Sequence, residues 1–137
     1  MAMDVADEVL RRYRTWAVVG CSPDPRRDSH RVARTLQAHG YRVVPVHPAG
    51  GTVLGEPCFP SLGDVPAELG LEVVDLFRRS DQAGVHVDEA IAIGARAVWF
   101  QLGVHDADAA ARARDAGLLV VEDRCPAIEL PRLRLAG

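Results

Sequence analysis

The sequence predicts an α/β domain in which helices cover both faces of a parallel sheet. Three observations carry this reading. Short apolar runs recur at residues 16–20, 42–46, 72–77, 97–102 and 118–121. Between most of them lie stretches whose apolar residues repeat at helical spacing. No hairpin signal joins any two runs. A continuous apolar run is a strand buried on both faces, and strands that alternate with helices pair in parallel.

Taken in order, Val5, Val9, Leu10 and Tyr13 mark one face of a short leading helix. Residues 16–20 (WAVVG) form the first strand, and the loop CSPDPRR, with two prolines, continues neither strand nor helix. Asp28 or Ser29 offers a side-chain cap to a helix carrying Val32, Ala33 and Leu36, which His39-Gly40 closes. RVVPV is the second strand, with Pro45 placed where no ladder bond is required. GEPCF (residues 55–59) is at most a very short edge strand, and residues 61–66 are a turn. EVVDLF is a strand, and Ser80 caps a helix aligned along Ala83, Val87, Ala90 and Ile91. AVWFQL, an alanine-rich helix over 106–116 stopped by Gly117, and LLVV complete the pattern before Asp123-Arg124-Cys125-Pro126 closes the sheet region. Right-handed crossovers and the central first strand give a single Rossmann-like domain over residues 1–137, with strand order 3-2-1-4-5-6. Ligands of such a sheet bind outside the carboxyl ends of the strands, here between strands one and four.

The totals set the class. The chain has 137 residues, 48% apolar and 26% charged, which suits an ordinary globular protein with a core of its own. No apolar run approaches the ~20 residues that span a bilayer, and the acidic-led amphipathic start argues against a secretory signal. Cys21, Cys58 and Cys125 are an odd count without metal-ligand spacing, which implies reduced thiols and a cytosolic location. A net charge of −3 gives no support to nucleic-acid binding. All sixteen basic residues are arginine. That excludes lysine-dependent chemistry and the P-loop.

The loop after strand one carries the functional signal. Helix-start N–H groups bind phosphate, and Arg26 and Arg27 add charge and bidentate donors beside them. The dinucleotide fingerprint G-x-G-x-x-G keeps only its first glycine, Gly20, and strand two ends in His47 where an acidic residue would hold a ribose. Both count against NAD. Arg78 and Arg79 after strand four suit a ligand with more phosphate, as in NADP or coenzyme A.

The ordered motifs VVGCSPDPRRDSHRVARTLQAHGYRVVPVHP, VVDLFRRSD, AVWFQLGV and GLLVVEDRCPAIEL resemble the small stand-alone coenzyme A-binding domain family. That family is similar to the amino-terminal domain of the succinyl-CoA synthetase alpha subunit. The resemblance implies coenzyme A, or an acyl-CoA, across the strand ends. Gly20, Cys21, Ser22 and Pro23 would line its diphosphate, with Arg26, Arg27, Ser29 and His30 beside them. His47 takes the place of a nucleotide contact, and Phe77, Arg78 and Ser80 would flank the adenine side. Gln101, Leu102 and Gly103 match the segment that meets the pantetheine arm. The synthetases' phosphorylated histidine lies in a further domain, and no histidine here matches it. The implied role is a non-catalytic binding module: carrier, sensor or partner of an acyl-CoA enzyme. The alternatives are an NADP-dependent or CoA-transferring component completed by another subunit, and a degenerate scaffold working through protein contacts.

Other candidates weigh less. Cys21, at a strand end facing a helix N-terminus, has surroundings that lower a thiol pKa, although a small turn residue is the simpler account. The histidines have no metal spacing, and Ser22 lacks a nucleophile context. Trp99 reads as core. Asp75, a carboxylate within a buried strand, must find hydrogen-bond partners.

Overall fold

The computed structural model describes residues 3–136. Met1, Ala2 and Gly137, the first two belonging to the acidic-led start, lie outside the described residues. The elements run α1 (Val5–Arg12), β1 (Thr15–Val19), α2 (Asp28–Ala38), β2 (Arg42–Val46), β3 (Thr52–Val53) and β4 (Glu56–Pro57). After two 3-10 turns come β5 (Val73–Leu76), α3 (Ser80–Ala92), β6 (Ala97–Phe100), α4 (Ala107–Asp115), β7 (Leu119–Val121) and α5 (Pro126–Ala136).

Five strands form one parallel sheet in the order β2-β1-β5-β6-β7. Side chains alternate between its faces, as the two-residue strand period requires. Trp16, Val18, Val43, Val73 and Trp99 pack with Val9 and Leu10 of α1, Val32 and Leu36 of α2 and Leu130 of α5. Ala17, Val19, Val74, Leu76 and Phe100 pack with Ala83 and Val87 of α3 and with Ala109, Ala110 and Ala113 of α4. Trp99 is core, as expected, with its ring centroid 5.4 Å from that of Trp16 and its indole N–H donating to the Arg124 carbonyl at 2.8 Å.

The structure corrects the strand order. The segment expected as an edge strand beyond β2 does not extend the sheet. Glu56–Pro57 pairs antiparallel with Thr52–Val53, and only Phe59 joins the sheet's ladder, through a single parallel bridge to Val46. The turn of that hairpin is Leu54-Gly55, both at positive φ (53° and 77°). Leucine occupies a place where asparagine or aspartate would have signalled the turn, so the sequence hides it. The Pro45 expectation holds. Its carbonyl accepts from the Phe59 N–H on the outer side of β2, and a strand residue's N–H faces the same way as its carbonyl, so the ladder to β1 loses nothing.

Two expected caps are also corrected. No side chain caps α2 or α3; their caps are Arg27 and Arg79. Asp28 pairs with Arg31, Ser29 Oγ accepts from the Ser22 N–H, and Ser80 reaches across to the loop after β6. Helix α5 adds an element beyond the closing motif, and it contains two prolines, Pro126 and Pro131. Pro126 occupies the first helical position, where its missing N–H costs nothing, and Pro131 interrupts a helix already anchored by Leu130.

Candidate functional site

The carboxyl ends of β1, β2 and β5 meet at one opening. At its floor Gly20 has φ +86°, and a β-carbon there would lie 2.3 Å from the Phe77 carbonyl oxygen. Only glycine permits the chain to leave β1 this close to the end of β5. Beyond it, Ser22 Oγ accepts from the Asp24 N–H, and Asp24 Oδ1 accepts from the Arg26 N–H, which folds CSPDPRR into a compact turn ahead of α2.

The result is a cavity of about 500 Å³ lined by Gly20, Ser22, Arg26, Arg27, Asp28, Ser29, His47 and Phe77. The uncapped N-terminus of α2 opens beside it. Seven of these eight residues are among those predicted from sequence. Asp28, predicted only as a cap, is the eighth. Arg26 is tied down within the loop: its guanidinium donates to both Asp24 oxygens at 3.1 Å and holds that carboxyl below its ordinary range. Arg78 does not line the cavity but lies next to Gly20, with its Cδ 3.2 Å from the β-carbon position of that glycine. Its Nε is buried and has no hydrogen-bond partner among the described residues. A guanidinium nitrogen left so is a donor in want of an acceptor.

A second cavity, of about 460 Å³, adjoins the first and shares Asp28 and Phe77 with it. Gln101, Leu102, Val104, Cys125 and Ala127 line it from the sheet side, and Arg31, Val32 and Thr35 from α2. Its surroundings are largely apolar. The loop after β6 that forms its rim is fixed by two side chains. The His105 N–H donates to Ser80 Oγ at 2.8 Å, and the Gly103 N–H donates to Asp123 Oδ1 at 2.8 Å. Arg31 and Thr35 follow Asp28 at helical spacing. That face of α2 was therefore readable from the sequence, whereas Val104, Cys125 and Ala127 arrive only through the sheet order.

The other predicted residues stand apart from both cavities. Pro23 shapes the loop. His30 is buried, with Nδ1 donating to the Ser22 carbonyl at 3.0 Å. Ser80 and Gly103 build the rim without lining a cavity. Cys21 lies wholly buried beneath the loop, and burial, with Cys58 and Asp75 adding to it, pushes its thiol up to about 12. The expectation of lowered thiol surroundings is thus overturned: loss of solvation outweighs the helix N-terminus.

Asp75 is the one wholly buried carboxyl group among the described residues. Burial raises its pKa well above the ordinary value, partly offset by the Leu76 backbone N–H. The Gln101 amide nitrogen donates to its two oxygens at 2.9 and 3.1 Å. Among the described residues no helix is long and apolar enough to cross a membrane.

Comparison with known proteins shows the family and the fold. The sequence model of a family described as "CoA binding domain" matches residues 14–131. The chain is 33% identical over 118 residues to the uncharacterized protein YneT of Bacillus subtilis, covering 86% of each. A hypothetical protein of Pyrococcus horikoshii has a similar structure, with TM-score 0.90 and 41% identity over 97% of this chain and 94% of that one. A Thermus thermophilus structure is similar at TM-score 0.87 and 34% identity, covering 96% and 99%.

Proposed function

The chain belongs to the CoA binding domain family, and we propose from that premise that it holds coenzyme A or an acyl-CoA across the carboxyl ends of its sheet. The observation that carries the reading is the uncapped α2 N-terminus opening beside a cavity lined by Arg26 and Arg27, with the unpartnered Arg78 Nε buried next to Gly20. Helix-start N–H groups and a guanidinium donor together suit a phosphate-rich ligand. The diphosphate would rest on residues 20–23 and 27–29. The arginines and His47 would meet the nucleotide portion, and the apolar second cavity would take the pantetheine arm past Gln101 and Leu102.

The chain works as a binding module without chemistry of its own, in the service of a separate acyl-CoA enzyme. The side chains near the opening support this. Cys21 is a buried neutral thiol, His30 is spent on the Ser22 carbonyl, and His47 Nδ1 accepts from the Ala49 N–H. None forms a nucleophile and base pair. Isothermal titration of the reduced protein with CoA, dephospho-CoA, NAD and NADP tests the ligand. Tight CoA binding that weakens with dephospho-CoA is expected, and NADP binding without CoA would overturn it. Incubation with acetyl-CoA tests the role: the thioester should survive at its uncatalysed rate, and catalysed thiol release would make the chain an enzyme.

A further inference from the structure

The two cavities differ in what their walls ask of a ligand. Ser22, Arg26, Arg27 and His47 line the first. Val32, Leu102, Val104, Cys125 and Ala127 make most of the wall of the second, which joins the first at Asp28 and Phe77. The polar side chains of the second cavity each hold a partner within the protein. Arg31 pairs with Asp28, Thr35 Oγ1 donates to the Arg31 carbonyl at 3.0 Å, and the Gln101 amide nitrogen donates to Asp75. The backbone of the rim is spent in the same way. The N–H groups of Gly103, Val104 and His105 donate to Asp123 Oδ1, the Gln101 carbonyl and Ser80 Oγ at 2.8, 2.9 and 2.8 Å. A pantetheine arm carries two amides, and burying an amide without partners is costly. Those amides are better met where the two cavities join. The rest of the second cavity is left to a group that needs no hydrogen bond. Its volume of about 460 Å³ suits a small molecule, and its lining from Asp28 to Thr35 follows α2 for about 10 Å. Val32, Val104 and Cys125 are already buried there, whereas Leu102 stands 56% exposed on the rim.

We propose that the second cavity is an acyl-chain site, in which an aliphatic chain of several carbons, carried as a thioester, lies among Val32, Val104, Cys125 and Ala127 with Leu102 at the rim. This rests on the coenzyme A reading and narrows it. The favoured ligand is an aliphatic acyl-CoA, ahead of free CoA and of thioesters whose acyl group carries a charge.

Isothermal titration with CoA and its acetyl, butyryl, hexanoyl and octanoyl thioesters tests the site. Affinity should rise by up to about fourfold for each methylene beyond acetyl until the cavity is full. Succinyl-CoA matches butyryl-CoA in length but ends in a carboxylate, and it should bind at least about tenfold more weakly than butyryl-CoA. Ala127→Phe fills the cavity and should bring octanoyl-CoA to within about twofold of CoA in the same variant. Thr35→Asp sets a carboxylate in the wall from the half-buried face of α2; it should have the same effect and serves if the first variant fails to fold. Affinities that do not change with chain length would overturn the proposal and leave the coenzyme A reading standing, as would succinyl-CoA binding as tightly as butyryl-CoA. A chain-length gain undiminished in both variants would put the acyl group elsewhere and overturn it too. If the protein binds neither CoA nor any thioester, the coenzyme A reading falls first.

Discussion

A β-carbon on Gly20 would lie 2.3 Å from the carbonyl oxygen of Phe77, so the last turn of β1 and the end of β5 touch with no room for any side chain. This contact joins fold to site. It sets the depth of the opening at which Arg78, the next residue along, leaves its Nε buried. Gly20→Ala combines a positive φ with a backbone clash and should cost at least about 2 kcal/mol. Chemical denaturation reads the loss, and CoA titration of the folded fraction should show weakened binding as the floor is forced apart.

Arg78 and Arg26 should separate in their effects. Arg78 carries a buried donor without a partner, whereas Arg26 is exposed and already paired with Asp24. Arg78→Met should weaken CoA by about ten- to hundredfold, the range of a charge-assisted hydrogen bond. The unliganded protein should be no less stable, because an unsatisfied buried donor is removed. Arg26→Ala should cost less affinity than Arg78→Met. Titration and thermal melts of the two variants check both halves, and the reverse order of affinities would move the phosphate away from Arg78.

Asp75 makes stability depend on pH in a definite sense. Its pKa is raised on folding, so the unfolded chain releases this proton from about pH 4 while the folded chain retains it. The contribution is fully present below that pH and is lost as pH rises towards the folded value. Asp75→Asn removes the dependence. It should therefore be more stable than the parent at pH 7 and lose that advantage near pH 4, as denaturation at the two pH values would show.

Cys21 should behave as an inert thiol. With its pKa pushed up to about 12, it should resist alkylation in the native protein at pH 8 and react once the chain is unfolded. The same shift weakens the fold in alkali. Above the ordinary thiol value of 9.0 the unfolded chain ionises and the folded one does not, so stability should fall by up to about 1.4 kcal/mol per pH unit until about pH 12. Mass spectrometry after timed iodoacetamide treatment gives the reactivity directly.

The closing motif has a structural task that can be measured apart from the ligand. Arg124 donates to both Asp4 oxygens at 2.7 and 2.9 Å, bridging the start of α1 to the loop before α5, and holds the Asp4 carboxyl below its ordinary range. Asp4 Oδ1 also accepts from the Ala6 N–H as the cap of α1. Asp4→Ala should cost about 1–2 kcal/mol, mostly through the lost cap, since the ion pair is partly exposed and screened. Because the Asp4 pKa is lowered, its share is present at neutral pH and is lost as pH falls through the folded value. CoA affinity should not change.

The sequence by itself determined the strands of the main sheet, its parallel pairing and the first cavity's lining apart from Asp28, because these depend on local pattern. Apolar runs of four to six residues with no polar face can only be buried twice over. A glycine followed by a proline-rich, arginine-bearing loop and a helix can only place N–H groups and charge at one strand end. The helix face through Asp28, Arg31 and Thr35 was legible in the same way. What depended on distant partners was decided by tertiary structure alone. Phe59 meets β2 for a single bridge, so the expected edge strand folds back as a hairpin around Leu54-Gly55. Ser80 gives up a capping role because the His105 N–H lies within reach, and the surroundings expected to lower the Cys21 thiol pKa are outweighed by its burial. The apolar cavity is formed by Val104, Cys125 and Ala127 meeting α2 across the sheet edge. Local pattern fixes which way a side chain alternates. Desolvation and hydrogen-bond partners are set only when segments far apart in the chain are brought together.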